Sequence, residues 1–105
     1  MVKVIFVLHR REGVTREESS RRWSGEQHTS LVGALPGLVK WIQNHVTGAE
    51  DAACDGIGEL WFQSVEALDK ALSSPQMQAA VENSKEFLDM DKTYMVVVEE
   101  RSILQ

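Results

Sequence analysis

The chain has 105 residues, 43% hydrophobic and 26% charged, with a formal net charge of −5. That length sets one domain over residues 1–105 as the expectation, and that composition excludes a disordered chain. The acidic balance excludes nucleic acid and an anionic membrane as main partners, because phosphate recognition needs a basic face.

The single cysteine, Cys54, rules out an internal disulfide and every multi-cysteine metal site. Its neighbours Ala52, Ala53 and Asp55 supply no base to make a thiolate, and a lone thiol fits a reducing compartment. Met1 to Leu8 is apolar but too short for a membrane span or a signal peptide, so a cytoplasmic protein is expected.

Val2 to Arg10 reads as the first strand, with Val4, Phe6 and Leu8 on one face and Lys3, Ile5, Val7 and His9 on the other. Thr15-Arg16-Glu17-Glu18 is a capping box, in which the Thr15 hydroxyl takes an orphan amide and Glu18 reaches back. Helix one is expected from about Arg16 to about Val32. His28 lies on or beside its apolar stripe of Leu31, Val32 and Leu35. Leu35-Pro36-Gly37 ends the helix: proline cannot continue it, and glycine takes the turn.

Leu38 to Val46 is the second strand and carries the polar triplet Gln43-Asn44-His45. Alternation puts Trp41, Gln43 and His45 on one face and Asn44 on the other. Asp55-Gly56 is expected to turn the chain into a third strand, Gly56 to Phe62, with Asp55 capping that turn. Ile57, Glu59 and Trp61 share one face of this strand. Ser64 suits the N-cap of a second helix bearing Leu68 and Leu72. Ser73-Ser74-Pro75 interrupts it and opens a further helical piece with Met77, Val81, Ser84 and Leu88 on one side. Lys92 to Glu100 is the fourth strand.

The order β-α-β-β-α-β predicts a ferredoxin-like α+β fold, a four-stranded antiparallel sheet with helices on one face. Strands one and four are apolar on both faces. The face without helices therefore needs a second apolar surface, and another copy of the chain is the simplest one. A homodimer is the expectation.

Leu35-Pro36-Gly37-Leu38 before a strand ending Gln43-Asn44-His45 resembles the EthD family of the dimeric α+β barrel superfamily. Asp55-Gly56-Ile57-Gly58-Glu59-Leu60-Trp61-Phe62, Ser73-Ser74-Pro75, Phe87-Leu88-Asp89 and Val96-Val97-Val98-Glu99-Glu100 extend the resemblance over nearly the whole chain, in the family's order. It implies two sheets meeting face to face in a barrel, each subunit keeping a cleft between sheet and helices. It also implies that His28 lines that cleft. Two departures stand out: Ser19 replaces an aromatic early in helix one, and Trp23 and His28 are five residues apart instead of four. A π-bulge or local break between Trp23 and His28, around Gly25, would absorb the extra residue.

His28 is the first candidate catalytic residue, since imidazole gives and takes protons near neutral pH. Packing or capping at a helix end is the structural alternative. Glu59 is the second. Burial in an apolar strand would raise its pKa, whereas a cross-strand pair with Lys40 or an arginine would make it structural. Trp23, Trp41 and Trp61 are candidates for an aromatic wall, and Gln43, Asn44 and His45 for polar contacts to a substrate.

No His-x-His or His-Glu-x-x-His spacing marks a metal site, and no phosphate loop, dinucleotide fingerprint or Gly-x-Ser-x-Gly is present. Nothing selects haem. Together with these absences, the resemblance to the EthD family implies cofactor-free acid/base chemistry on a small apolar or aromatic carbonyl, phenol or lactone. Isomerisation, cyclisation, decarboxylation and oxygenation all fall within it. A non-catalytic ligand-binding or accessory protein of an oxidative pathway is the alternative. An oxidoreductase is suggested by family name alone, without a redox residue.

Overall fold

Eight elements follow one another: β1 (Val2–Leu8), α1 (Arg16–Trp23), α2 (Glu26–Gly33), β2 (Lys40–His45), β3 (Gly56–Phe62), α3 (Val65–Leu72), α4 (Pro75–Ser84) and β4 (Tyr94–Val98). They are seen in a computed structural model that describes residues 1–104. The strands pair antiparallel in the order β2-β3-β1-β4. This is the ferredoxin-like arrangement that the element order predicts.

The register sorts the side chains. Val4 lies between Leu60 and Val97, and Phe6 between Gly58 and Met95. Because neighbours along a strand point to opposite faces, Val4, Phe6, Leu8, Leu60 and Phe62 line the helix side with Trp41. Val4, Leu60 and Phe62 join Val32, Leu35, Leu68, Ala71 and Ala80 in the main core. A second cluster, Leu8, Trp23, Phe87 and Leu88, closes the end where α1 meets the turn after α4. The opposite face carries Ile5, Val7, Ile42, Ile57 and Val96, and Ile42 and Val96 remain exposed.

Several boundaries differ from the sequence expectation, for local reasons. β1 stops at Leu8, since the Arg10 N–H donates to the Asp55 carboxylate at 2.9 Å and Arg10 bridges Leu88 rather than β3. Asp55 therefore ties the end of β1 to the start of β3 instead of capping its own turn. β4 begins at Tyr94, because Asp89 captures the N–H groups of Asp91 and Lys92 in a turn. Thr15 caps α1 as expected, accepting the Glu18 N–H at 3.1 Å, but the Glu18 carboxylate pairs with Arg21 instead of reaching back. Ser64 and Ser74 cap α3 and α4, and Pro75 opens α4.

The expected single helix over Arg16 to Val32 is two helices. α1 ends at Trp23, and Gly25, with extended backbone (φ −71°, ψ 157°), is the N-cap of α2. The Gly25 N–H still reaches Arg22 O at 3.2 Å, while its carbonyl accepts from Thr29 N–H at 3.0 Å. A Cβ there would stand 3.2 Å from Arg21 O and 3.3 Å from Arg22 O, closer than side-chain carbons ordinarily come, so glycine permits the tight break. On one continuous helix Trp23 and His28 would point about 140° apart. The break resets the phase, and both are buried.

Candidate functional site

Between the sheet and α2/α4 lies a cavity of about 80 Å³. Phe6, Gly58 and Leu60 form its floor, Trp23, Val32 and Trp41 one wall, and Met77, Val81 and Ser84 the other. Of the stripe predicted from sequence, Met77, Val81 and Ser84 line it from α4, and Leu88 lines it from the turn that follows α4. Its surface is almost wholly apolar, and His28 is the one ionisable side chain among its lining residues.

His28 is 5% exposed. Its Nδ1 lies 2.9 Å from the Asn83 Oδ1 on α4, and its ring packs edge-on against Phe87 (5.4 Å between centroids) and Trp41 (6.3 Å). A carboxamide oxygen only accepts, so Nδ1 carries the proton and Nε2 presents a lone pair. Among the described residues Nε2 has no hydrogen-bond partner. Among the described residues no fully buried side-chain nitrogen or oxygen lacks a hydrogen bond, so Nε2 is not sealed off. Burial pushes the His28 pKa below its ordinary value of 6.5, with the Asn83 bond opposing the shift. The ring is therefore neutral at pH 7, and its free nitrogen is a base.

The polar triplet of β2 splits as alternation requires. The Gln43 amide donates to Trp23 O at 2.9 Å, and His45 Nε2 lies 2.9 Å from Gln43 Oε1. His45 Nδ1 meets the Ser20 hydroxyl, and the ring lies 4.7 Å from that of Trp23. Gln43 and His45 thus bind the end of α1 to the sheet instead of lining the cavity. Asn44 points to the opposite face, donating to Glu59 at 3.0 Å.

Glu59 and Trp61 do not join His28. Both lie on the sheet face away from the helices, as Glu59 faces Ile5 and Ile42 in register. Lys3 Nζ reaches the Glu59 carboxylate at 2.8 Å. That bond and the one from Asn44 hold the Glu59 pKa below its ordinary value, the reverse of the expected rise. The structural alternative for Glu59, a cross-strand pair, is what forms, with Lys3 as partner. Trp61 lies between Lys3 and Lys40, whose ammonium groups are 5.0 Å and 4.7 Å from its ring. Only Trp23 and Trp41 of the expected aromatic wall reach the cavity.

Sequence reasoning missed Asn83, the orienting partner of His28, and Thr93 and Met90 at the cavity rim. A buried asparagine on the inner side of a helix was the available signal, since such a group requires a partner. Among the described residues no cluster of three His, Cys, Asp or Glu side chains forms a metal-binding group, and no helix is long and apolar enough to cross a membrane.

A ferredoxin-like sheet roofed by helices, with one buried imidazole in an apolar cavity, defines a small α+β protein with a void between its layers. Residues 11–91 match the EthD domain, and the chain belongs to the EthD family. No curated protein matches it in sequence. An EthD family protein from Bacillus halodurans superposes with a TM-score of 0.79 at 18% identity, covering 96% of this chain and 99% of that one. A dimeric protein of unknown function from Bacteroides fragilis, with a ferredoxin-like fold, gives 0.70 at 17% identity over 94% and 95%. SnoaB, a cofactor-independent oxygenase from Streptomyces nogalater, gives 0.68 at 12% identity over 98% and 95%. At these identities the likeness establishes the fold.

Proposed function

We propose that the chain is a cofactor-free acid/base enzyme acting on a small, uncharged, apolar or aromatic carbonyl, phenol or lactone compound. One observation carries this reading: His28 is held as a neutral base in an apolar cavity, with Nδ1–H fixed by Asn83 and Nε2 free. Nε2 would remove an acidic C–H or O–H proton, leaving an enolate or phenolate beside the new imidazolium. The two opposite charges stabilise each other where the apolar walls would disfavour either alone. Returning the proton to another atom gives isomerisation or cyclisation, and reaction of the carbanion with dioxygen gives oxygenation. The likeness to a cofactor-independent oxygenase is consistent with the latter. Among the described residues no cationic side chain lines the cavity, so carboxylate and phosphate substrates are disfavoured.

A homodimer is part of the same proposal. The apolar sheet face of Ile5, Val7, Ile42, Ile57 and Val96 lacks a covering layer, and a similarly folded protein from Bacteroides fragilis is dimeric. A reducing, cytoplasmic setting accords with the single free Cys54.

The test is deuterium exchange, followed by proton NMR, of weakly acidic C–H groups in a panel of neutral cyclic ketones and phenols. Wild-type protein is expected to accelerate exchange in at least one. His28→Ala should lose that acceleration, by roughly 10²–10⁴-fold for a general base, while keeping the ligand bound. A wild type that binds without accelerating exchange, and a His28→Ala variant that merely binds more weakly, would establish the accessory, ligand-sequestering reading instead.

A further inference from the structure

The main cavity does not end at a solid core. Behind the Trp23 indole lies a second void of about 10 Å³, lined by Ser19, Ser20, Asp55 and Gly56. Leu8, Trp23 and Leu88 border both spaces. The indole rests on a two-glycine floor. A Cβ at Gly56 would stand 2.8 Å from its Cζ3, and one at Gly58 would stand 3.2 Å from its Cζ2. Gly56 borders the small void and Gly58 the main cavity, so the six-membered ring of Trp23 lies across the sheet between them.

The partition is held firmly. The Trp23 carbonyl accepts from the Gln43 amide at 2.9 Å, and the indole packs against the His45 ring. The helix break just after Trp23 anchors its backbone in the same place. Beyond the indole the lining stays mostly apolar, with Leu8 and Leu88 continuing from the main cavity. Ser19, Ser20 and Asp55 border it with their polar groups already engaged, Ser19 donating to Phe87 O at 3.2 Å, Ser20 meeting His45, and Asp55 accepting from the Arg10 N–H at 2.9 Å.

We infer that Trp23 is the specificity-determining residue of the cavity, an indole partition that divides one cleft into two and fixes how long a ligand can be. The inference rests on the ligand class proposed above. Wild-type protein takes short neutral ligands that end against the indole. Removing the indole joins the two voids into a longer cavity that accepts extended ligands.

The experiment is calorimetric titration of the intact protein with neutral 4-alkylphenols of increasing chain length. For wild type, affinity should rise about fourfold per added methylene, the transfer value of a buried CH₂, until the chain meets Trp23, and then level off or fall. In Trp23→Ala the rise should continue for several further methylenes. Trp23→Leu, which keeps an apolar side chain on the glycine floor, serves the same purpose should the alanine variant not fold. Adding Ser19→Met to either variant refills the joined space and should bring the limit back to shorter chains. A length limit that stays where it is in a folded Trp23 variant overturns the partition while leaving the ligand class standing. A wild type that binds no member of the series overturns the ligand class, and the partition with it.

Discussion

The Nδ1 of His28 on α2 lies 2.9 Å from the carboxamide oxygen of Asn83 on α4, and both side chains are buried. This bond joins the two helices roofing the cavity and decides which imidazole nitrogen carries the proton. It links helix packing to chemistry: a change in how α2 sits on α4 would move the base.

Asn83→Leu removes the acceptor and leaves a buried Nδ1–H without a partner. Such a loss costs about 1–3 kcal/mol, to be read from urea denaturation. Asn83→Asp keeps an acceptor and adds a charge that favours imidazolium. The pH profile of proton exchange should then move upward relative to wild type. A profile unchanged in Asn83→Asp would show that Asn83 only packs.

The depressed pKa of His28 also predicts a pH dependence of stability. Unfolding returns the ring to its ordinary value of 6.5, so between the folded and unfolded values the unfolded chain binds more protons. The stability contribution is complete above about 6.5 and is lost as pH falls from there towards the folded value. Denaturation midpoints measured from pH 8 downwards should fall through this window. In His28→Leu that part of the slope should disappear.

The sequence was most informative where one local rule decided the outcome. Alternation placed Trp41, Gln43 and His45 opposite Asn44, and serine caps with Pro75 divided the second helical layer. The expected interruption between Trp23 and His28 is present as a full break at Gly25. What stayed hidden depended on contacts distant in sequence. Glu59 looked like a costly buried acid because Lys3, 56 residues away, could not be seen to face it. His45 and Gln43 looked like substrate contacts because their partners, Ser20 and the Trp23 carbonyl, lie on another element. Asn83 is 55 residues from His28, and no local pattern joins them.

Gly56 and Gly58 should differ in tolerance to alanine, because the indole approaches them unequally. A Cβ at Gly56 meets Trp23 Cζ3 at 2.8 Å, inside any ordinary contact, and the His45 ring, beside Gly56 on the neighbouring strand, also packs against the indole. Gly58→Ala meets Cζ2 at 3.2 Å and needs only a small shift. Gly56→Ala is expected to destabilise by about 1–3 kcal/mol, the range for overpacking, and Gly58→Ala by less. Thermal melts of the two variants decide the order, and equal effects would mean that the indole moves freely.

The proposed second copy of the chain can be tested on the uncovered sheet face. Val96 is 46% exposed on β4 beside Ile5, on the face lacking helices. Val96→Lys would place an ammonium group there, and a facing apolar layer could bury it only at a large desolvation cost. Val65 is as exposed, at 53%, but it lies on α3 in the helical layer and serves as the control. Sedimentation velocity at micromolar concentration should show a dimer for wild type and Val65→Lys, and a monomer for Val96→Lys. A dimer surviving Val96→Lys would exclude this face as the interface. The pairing of Lys3 with Glu59 would then be a cross-strand bridge within one chain rather than a pair inside an assembly.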